Sequence, residues 1–117
     1  MYKTIEELAT AIAADSSFKN AKAYFSCDDE IRLDWIINFL EINMINGDTE
    51  DDYKGAPEGT EVTCFDVRKR LFGKGDYSKD HDIYIRVYEI DLPERDEDGD
   101  IVSYNTVGYD YDNLLVS

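Results

Sequence analysis

The residues of this chain that could do chemistry are above all carboxylates at short spacings. Glu94, Asp96, Asp98, Gly99 and Ile101 fall at places 1, 3, 5, 6 and 8 of an EF-hand calcium loop in residue character. The twelfth place, where a bidentate glutamate should close the ligand shell, holds Asn105, and the flanking segments read as strands rather than helices. This stretch therefore reads as an acidic hairpin turn. Asp80-His81-Asp82 sets two carboxylates beside the only histidine, a pattern that can orient an imidazole, yet neighbours on a loop do not share a face by default. His81 is expected to be a solvated loop residue. Cys27 and Cys64 are too far apart in sequence to form a ligand pair, so a zinc site of the ordinary kind cannot be assembled. Cys64 with His81 has no local catalytic signature, and a strongly acidic field raises a thiol pKa and so disfavours the nucleophilic thiolate. No nucleophile elbow, phosphate-binding loop or dinucleotide fingerprint occurs. Carboxylate pairs are so abundant that none stands out for acid–base work. The expectation is a protein that is not an enzyme, with no catalytic residues, no metal and no cofactor.

Charge is the more informative signal. The 117 residues hold 27 Asp and Glu against 12 Lys and Arg, a net charge of −15. Such a chain repels phosphate backbones and anionic bilayers, which excludes direct nucleic-acid binding through a basic patch and electrostatic membrane attachment. Its natural partner is a basic protein. Solubility alone asks for a net charge of about 2–8 in a small domain, and the excess self-repels. The acids gather in two places. One holds Asp48, Glu50, Asp51, Asp52 and Glu58; the other holds Glu94, Asp96, Glu97, Asp98, Asp100, Asp110 and Asp112, among which stand Tyr104, Tyr109 and Tyr111. Tyrosines amid carboxylates join charge complementarity to large contact area, so these fifteen residues are the candidate partner-binding set. Arg68, Lys69, Arg70, Lys74 and Lys79 form a small basic cluster, expected to serve internal ion pairs.

The elements that must position these residues follow from periodicity. Thr4-Ile5-Glu6-Glu7 is a capping box opening a helix whose stripe is Ile5, Leu8, Ala9, Ile12 and Ala13, stopped at residues 15–17. Residues 18–25 lean to helix. A second clear helix begins after caps at Ser26 and Asp28 or Asp29 and runs to Ile45, closed by Asn46-Gly47. Its apolar residues cover so much of the circumference that it should be central, buried on more than one side. Residues 46–61 read as a long acidic loop, and 60–72 as a short helix, the alternative being a third strand over 62–67. Residues 83–92 and 101–111 are the strands of a hairpin turned at Asp98-Gly99, while 113–116 add an edge strand or trail off. Trp35, Phe39, Leu40, Ile12, Phe65, Ile85 and Val87 should be core.

The fold expected is α+β, with two or three N-terminal helices packed on a small antiparallel sheet centred on a C-terminal β-hairpin, all in one domain over residues 1–117. The cysteines read as reduced thiols, and no apolar run is long enough to span a membrane, so a cytoplasmic protein is expected, in the host cytoplasm if phage-encoded. In composition the chain is similar to small acidic inhibitors of phages and mobile elements. The function expected is a non-enzymatic acidic inhibitor that mimics nucleic-acid phosphates and blocks a DNA- or RNA-binding enzyme, of anti-restriction or anti-CRISPR type. The alternatives are an immunity or antitoxin protein that neutralises a basic nuclease toxin, and a small Ca²⁺-binding or hydrolytic module. A monomer or a homodimer is expected.

Overall fold

A computed structural model describes residues 1–21, 33–49, 59–71 and 80–116. The order is α1 (Ile5–Ala14), α2 (Ser16–Ala21), α3 (Leu33–Asn43), β1 (Asp48–Thr49), β2 (Glu61–Leu71), β3 (His81–Arg95) and β4 (Ile101–Val116). The strands form an antiparallel sheet in the order β1-β2-β3-β4, and Tyr2 adds a bridge to Tyr109 on the outer edge of β4. This is the expected α+β arrangement: three helices with a sheet built around the C-terminal hairpin.

Local signals explain the first elements. The Thr4 hydroxyl accepts from the Glu7 N–H at 3.1 Å, while the Glu7 carboxylate accepts from the Lys3 N–H at 2.9 Å, one residue earlier than a standard capping box predicts. Asp15 ends α1, and its carboxylate accepts from the Ser17 N–H at 2.9 Å, so the residue that stops one helix also caps the next. Leu8, Ala9 and Ile12 from α1, Phe18 from α2 and Ile36, Phe39 and Leu40 from α3 meet Phe65, Val67, Ile83, Ile85 and Val87 of the sheet in one cluster. On β2 and β3 these are alternate residues, as a sheet with its helices on one face requires.

Several expectations are corrected. Residues 61–71 are a strand, not a helix, because pairing with β3 from Glu61↔Asp91 to Leu71↔His81 satisfies every residue in a ladder that local helical spacing could not foresee. Asp48 and Thr49 leave the expected loop to pair with Cys64 and Thr63. Gly47 permits that approach, since a Cβ there would lie 2.7 Å from the Phe65 ring. His81 opens β3 rather than sitting in a loop, and the expected tail 113–116 is continuous with β4. The helix α3 buries Ile36, Phe39 and Leu40 and packs Leu33, Trp35 and Ile37 partly buried against the core, while Ile42 is 68% exposed, so among the described residues one strip of its apolar surface stays uncovered. Trp35 is partly buried against the core instead of within it, stacked on Phe39 and covered by the Lys69 ammonium at 4.8 Å. The expected caps Ser26, Asp28 and Asp29 and residues 50–58 lie outside the described residues.

Candidate functional site: an acidic two-stranded arm

The ladder between β2 and β3 stops at Glu61↔Asp91, whereas β3 and β4 stay paired through Leu92↔Asn105, Pro93↔Tyr104, Glu94↔Ser103 and Arg95↔Ile101. Among the described residues the end of the hairpin therefore projects past the rest of the sheet as a two-stranded arm, in a molecule measuring 63 × 22 × 21 Å. Its turn is closed by main-chain bonds from the Asp96 N–H to the Asp100 carbonyl and from the Gly99 N–H to the Asp96 carbonyl, and one side chain braces it. The Asp96 carboxylate accepts from the Asp98 N–H at 3.0 Å and the Asp100 N–H at 2.9 Å, while Gly99 takes a φ of 84° that a residue with a Cβ rarely adopts. Glu94 accepts from the Ser103 hydroxyl at 2.7 Å and Asp91 from the Thr106 hydroxyl at 2.7 Å, which rivet the two strands together. The only cation of the arm, Arg95, donates to the Gly99 carbonyl at 2.8 Å and is folded back on the turn.

Of the residues singled out from the sequence, Glu94, Asp96, Glu97, Asp98, Asp100 and Tyr104 come together on this arm. Asp96 is committed to the turn, which leaves Glu97, Asp98 and Asp100 as the exposed acids at its tip. Tyr109, Asp110, Tyr111 and Asp112 follow farther along β4, beside the helices. There Tyr109 and Tyr111 pack partly buried on the core, and the Tyr111 hydroxyl donates to Asp15 at 3.0 Å. Burial first and that bond second push the Tyr111 phenol up to about 12. Asp48 lies on the opposite edge of the sheet, at the far end of the row Asp48–Cys64–Tyr88–Asp110. Glu50, Asp51, Asp52 and Glu58 lie outside the described residues.

Two further features were not singled out from the sequence. Ile101 and Val102 are exposed apolar residues on the arm, at 44% and 63%. On the face of the sheet away from the core, Arg86 donates to Asp66 at 2.9 Å and the Tyr84 hydroxyl donates to the same oxygen at 2.8 Å. The Arg86 bond, ahead of the Tyr84 one, holds the Asp66 carboxyl below the ordinary carboxylate range. The alternation of strand residues between the two faces was the signal that could have found this row. Within the basic cluster Arg70 pairs with Asp82 at 2.6 Å and Asp80 at 3.9 Å, and Arg68 lies 4.9 Å over the Tyr84 ring. These cations serve the sheet's own contacts, while Lys74 and Lys79 lie outside the described residues.

Glu89 marks where the body of the sheet meets the arm. Burial, then the charge of Asp91, raise its pKa above the ordinary glutamate value, so the folded state favours the neutral form. Ionised Glu89 therefore costs stability at pH values above its folded pKa, and that cost disappears as pH falls through the folded value to below the unfolded one. Glu89→Gln should raise stability at pH 7 by up to about 1 kcal/mol, allowing for solvent screening of a half-buried group. The gain should close as both proteins are taken to acid pH. Urea midpoints at the two pH values check this, and a variant less stable than the parent at pH 7 contradicts it.

Among the described residues no three His, Cys, Asp or Glu side chains are grouped to hold a metal ion, and no helix is long and apolar enough to cross a membrane. The fold and this surface define the class: an acidic α+β protein with a projecting, carboxylate-tipped β-arm. Compared with known protein families, with curated proteins and with solved structures, the chain matches none.

Proposed function

We propose that this protein is a non-enzymatic inhibitor that inserts its acidic arm into the basic groove of a nucleic-acid-binding enzyme, where carboxylates take the place of phosphates. The observation that carries this reading is the arm itself: a narrow, riveted two-strand projection whose one arginine is bonded to the Gly99 carbonyl of the turn and whose tip carries Glu97, Asp98 and Asp100 exposed. A groove that gains affinity by neutralising phosphates gains it in the same way from a rigid set of carboxylates. Rigidity matters because ordering a flexible acidic loop on binding would consume much of that gain. The side-chain bonds from Ser103 and Thr106 across the hairpin supply it in advance. The enzyme would be of restriction or CRISPR-effector type, met in the cytoplasm, the host's if the chain is phage-encoded.

The test is capture of partners from a lysate at low salt by the immobilised protein, followed by elution with excess duplex DNA and identification by mass spectrometry. The expected result is a nucleic-acid enzyme that DNA displaces. A single small basic toxin that DNA does not displace would replace this reading with that of an immunity protein. Recovery of nothing would leave the acidic surface with a solubilising role only.

A further inference from the structure

The arm has two outer edges, and they are not alike. On the β3 side the residues beyond β2 are Leu92, Pro93, Glu94 and Arg95, an edge blunted by a proline and two charges in the way that sheet proteins protect unpaired strands. On the β4 side residues 101–107 read Ile-Val-Ser-Tyr-Asn-Thr-Val, with no charge, no proline and no glycine, in a chain where 33% of residues are charged. Residues 101–106 are exposed, and among the described residues only Tyr2, at Tyr109, pairs with this edge. One edge carries a proline and two charges, while the other carries neither and is interrupted only by the extra residues Val102 and Val107, which leave 103–106 in continuous register.

The backbone of that edge is also turned the right way. Pro93 has no N–H to give to Tyr104, so their pairing is of the type in which both residues direct their main-chain groups away from each other. By alternation Tyr104 and Thr106 aim their N–H and C=O groups outward, whereas Val102 is the extra residue at the register shift beside Arg95. The same alternation, offset by the extra residue where the register shifts opposite Ile90 and Asp91, agrees with Tyr109, whose N–H and C=O both bond Tyr2.

The geometry points to residues 101–107 as a docking edge that accepts an added β-strand from a partner protein, the added segment being uncharged in its middle and basic at both ends. The ends are set by charge: Asp98 and Asp100 stand at one end of the edge, and at the other Asp110 and Asp112 follow directly on the Tyr109 bridge to Tyr2. A second copy of this chain is the wrong occupant. Antiparallel pairing centred on Tyr104 would set the acidic turn of one copy against Asp110 and Asp112 of the other, and like charges facing across strands are destabilising. Main-chain pairing supplies affinity in such docking, and the flanking charges supply selectivity. This inference goes beyond phosphate mimicry and does not need the partner to bind nucleic acid.

The probe is a synthetic peptide with seven alternating valines and threonines between two lysines at each end, compared with the same peptide carrying glutamates at the ends. Amide hydrogen exchange of the wild-type protein is followed by NMR as each is added. The lysine-ended peptide should slow exchange at Tyr104 and Thr106 by about tenfold or more at concentrations near 1 mM, a weak peptide affinity. The glutamate-ended one should leave it unchanged. Tyr104→Pro should remove the effect while Ser103 and Asn105, which face β3, stay protected. Unchanged exchange with the lysine-ended peptide, equal protection by both peptides, or a concentration-dependent dimer of the protein alone by sedimentation would each overturn the inference. These readouts are independent of DNA displacement, so either idea can fail while the other stands.

Discussion

Reversing Glu97, Asp98 and Asp100 together to lysine is expected to weaken capture of the basic partner by about a hundredfold or more. Each of the three carboxylates is exposed at the tip of the arm, and each reversal both removes an attraction and adds a repulsion. At roughly 1 kcal/mol for each such change the sum is about 3 kcal/mol, which is about two decades in affinity. The choice of residues matters. Asp96 is left in place because its carboxylate holds two main-chain N–H groups of the turn, and a lysine there would unbuild the arm rather than recharge it. The far-ultraviolet circular dichroism and melting temperature of the triple variant should match those of the parent, and its residual binding should show a shallower dependence on salt. Undiminished capture by a folded variant would show that the partner does not read the tip.

Ile85→Ala is expected to cost about 3–4 kcal/mol of stability, a large share of the roughly 5–15 kcal/mol available to a domain of ordinary stability. Ile85 is fully buried on β3, paired with Val67 of β2, and shares the cluster that joins all three helices to the sheet. Removing three of its carbons leaves a cavity that strands fixed by register on β2 and helices fixed by their own packing can only partly close. The urea midpoint should fall with little change in slope, and a loss below about 1 kcal/mol would mean that this cluster is not the core. Because β3 also carries one side of the arm, the same substitution should lower the temperature at which partner binding is lost.

The parts legible in the sequence are those written in local chemistry. The Thr4 cap on the Glu7 N–H, the acid that breaks between α1 and α2, and the Asp98-Gly99 turn each act over a few residues and stand where local reasoning puts them. What escaped local reasoning is set by partners distant in the chain. In β2, Cys64, Val67 and Leu71 fit a helical face, and the strand pattern is blurred because Val62 is buried as well as Phe65 and Val67 although strand alternation sends it to the other side. Only the ladder with β3 decides between the two readings. The helix α3 looked central because apolar residues fill most of its circumference, yet Ile42 remains more than half exposed. The acidic hairpin was legible as a hairpin; that it projects was not, since projection depends on where β2 stops, and β2 stops opposite Asp91 for reasons of register that no window of residues around the turn contains.

The same distinction sorts the candidate site. Composition located the carboxylates, while the structure divides them into those spent on building the arm, Glu94 and Asp96, and those left exposed at its tip. It also shows Tyr104 alone of the three β4 tyrosines standing out on the arm, with Tyr109 and Tyr111 turned to the core.

The central claim, that the arm occupies the place of nucleic acid, is tested most directly by titrating labelled duplex DNA into the captured enzyme at several fixed concentrations of this protein. Competition for one groove predicts that the apparent Kd for DNA rises in proportion to the protein concentration while the amount of DNA bound at saturation stays the same. A ternary complex holding enzyme, DNA and this protein together, with the DNA affinity unchanged, would contradict it.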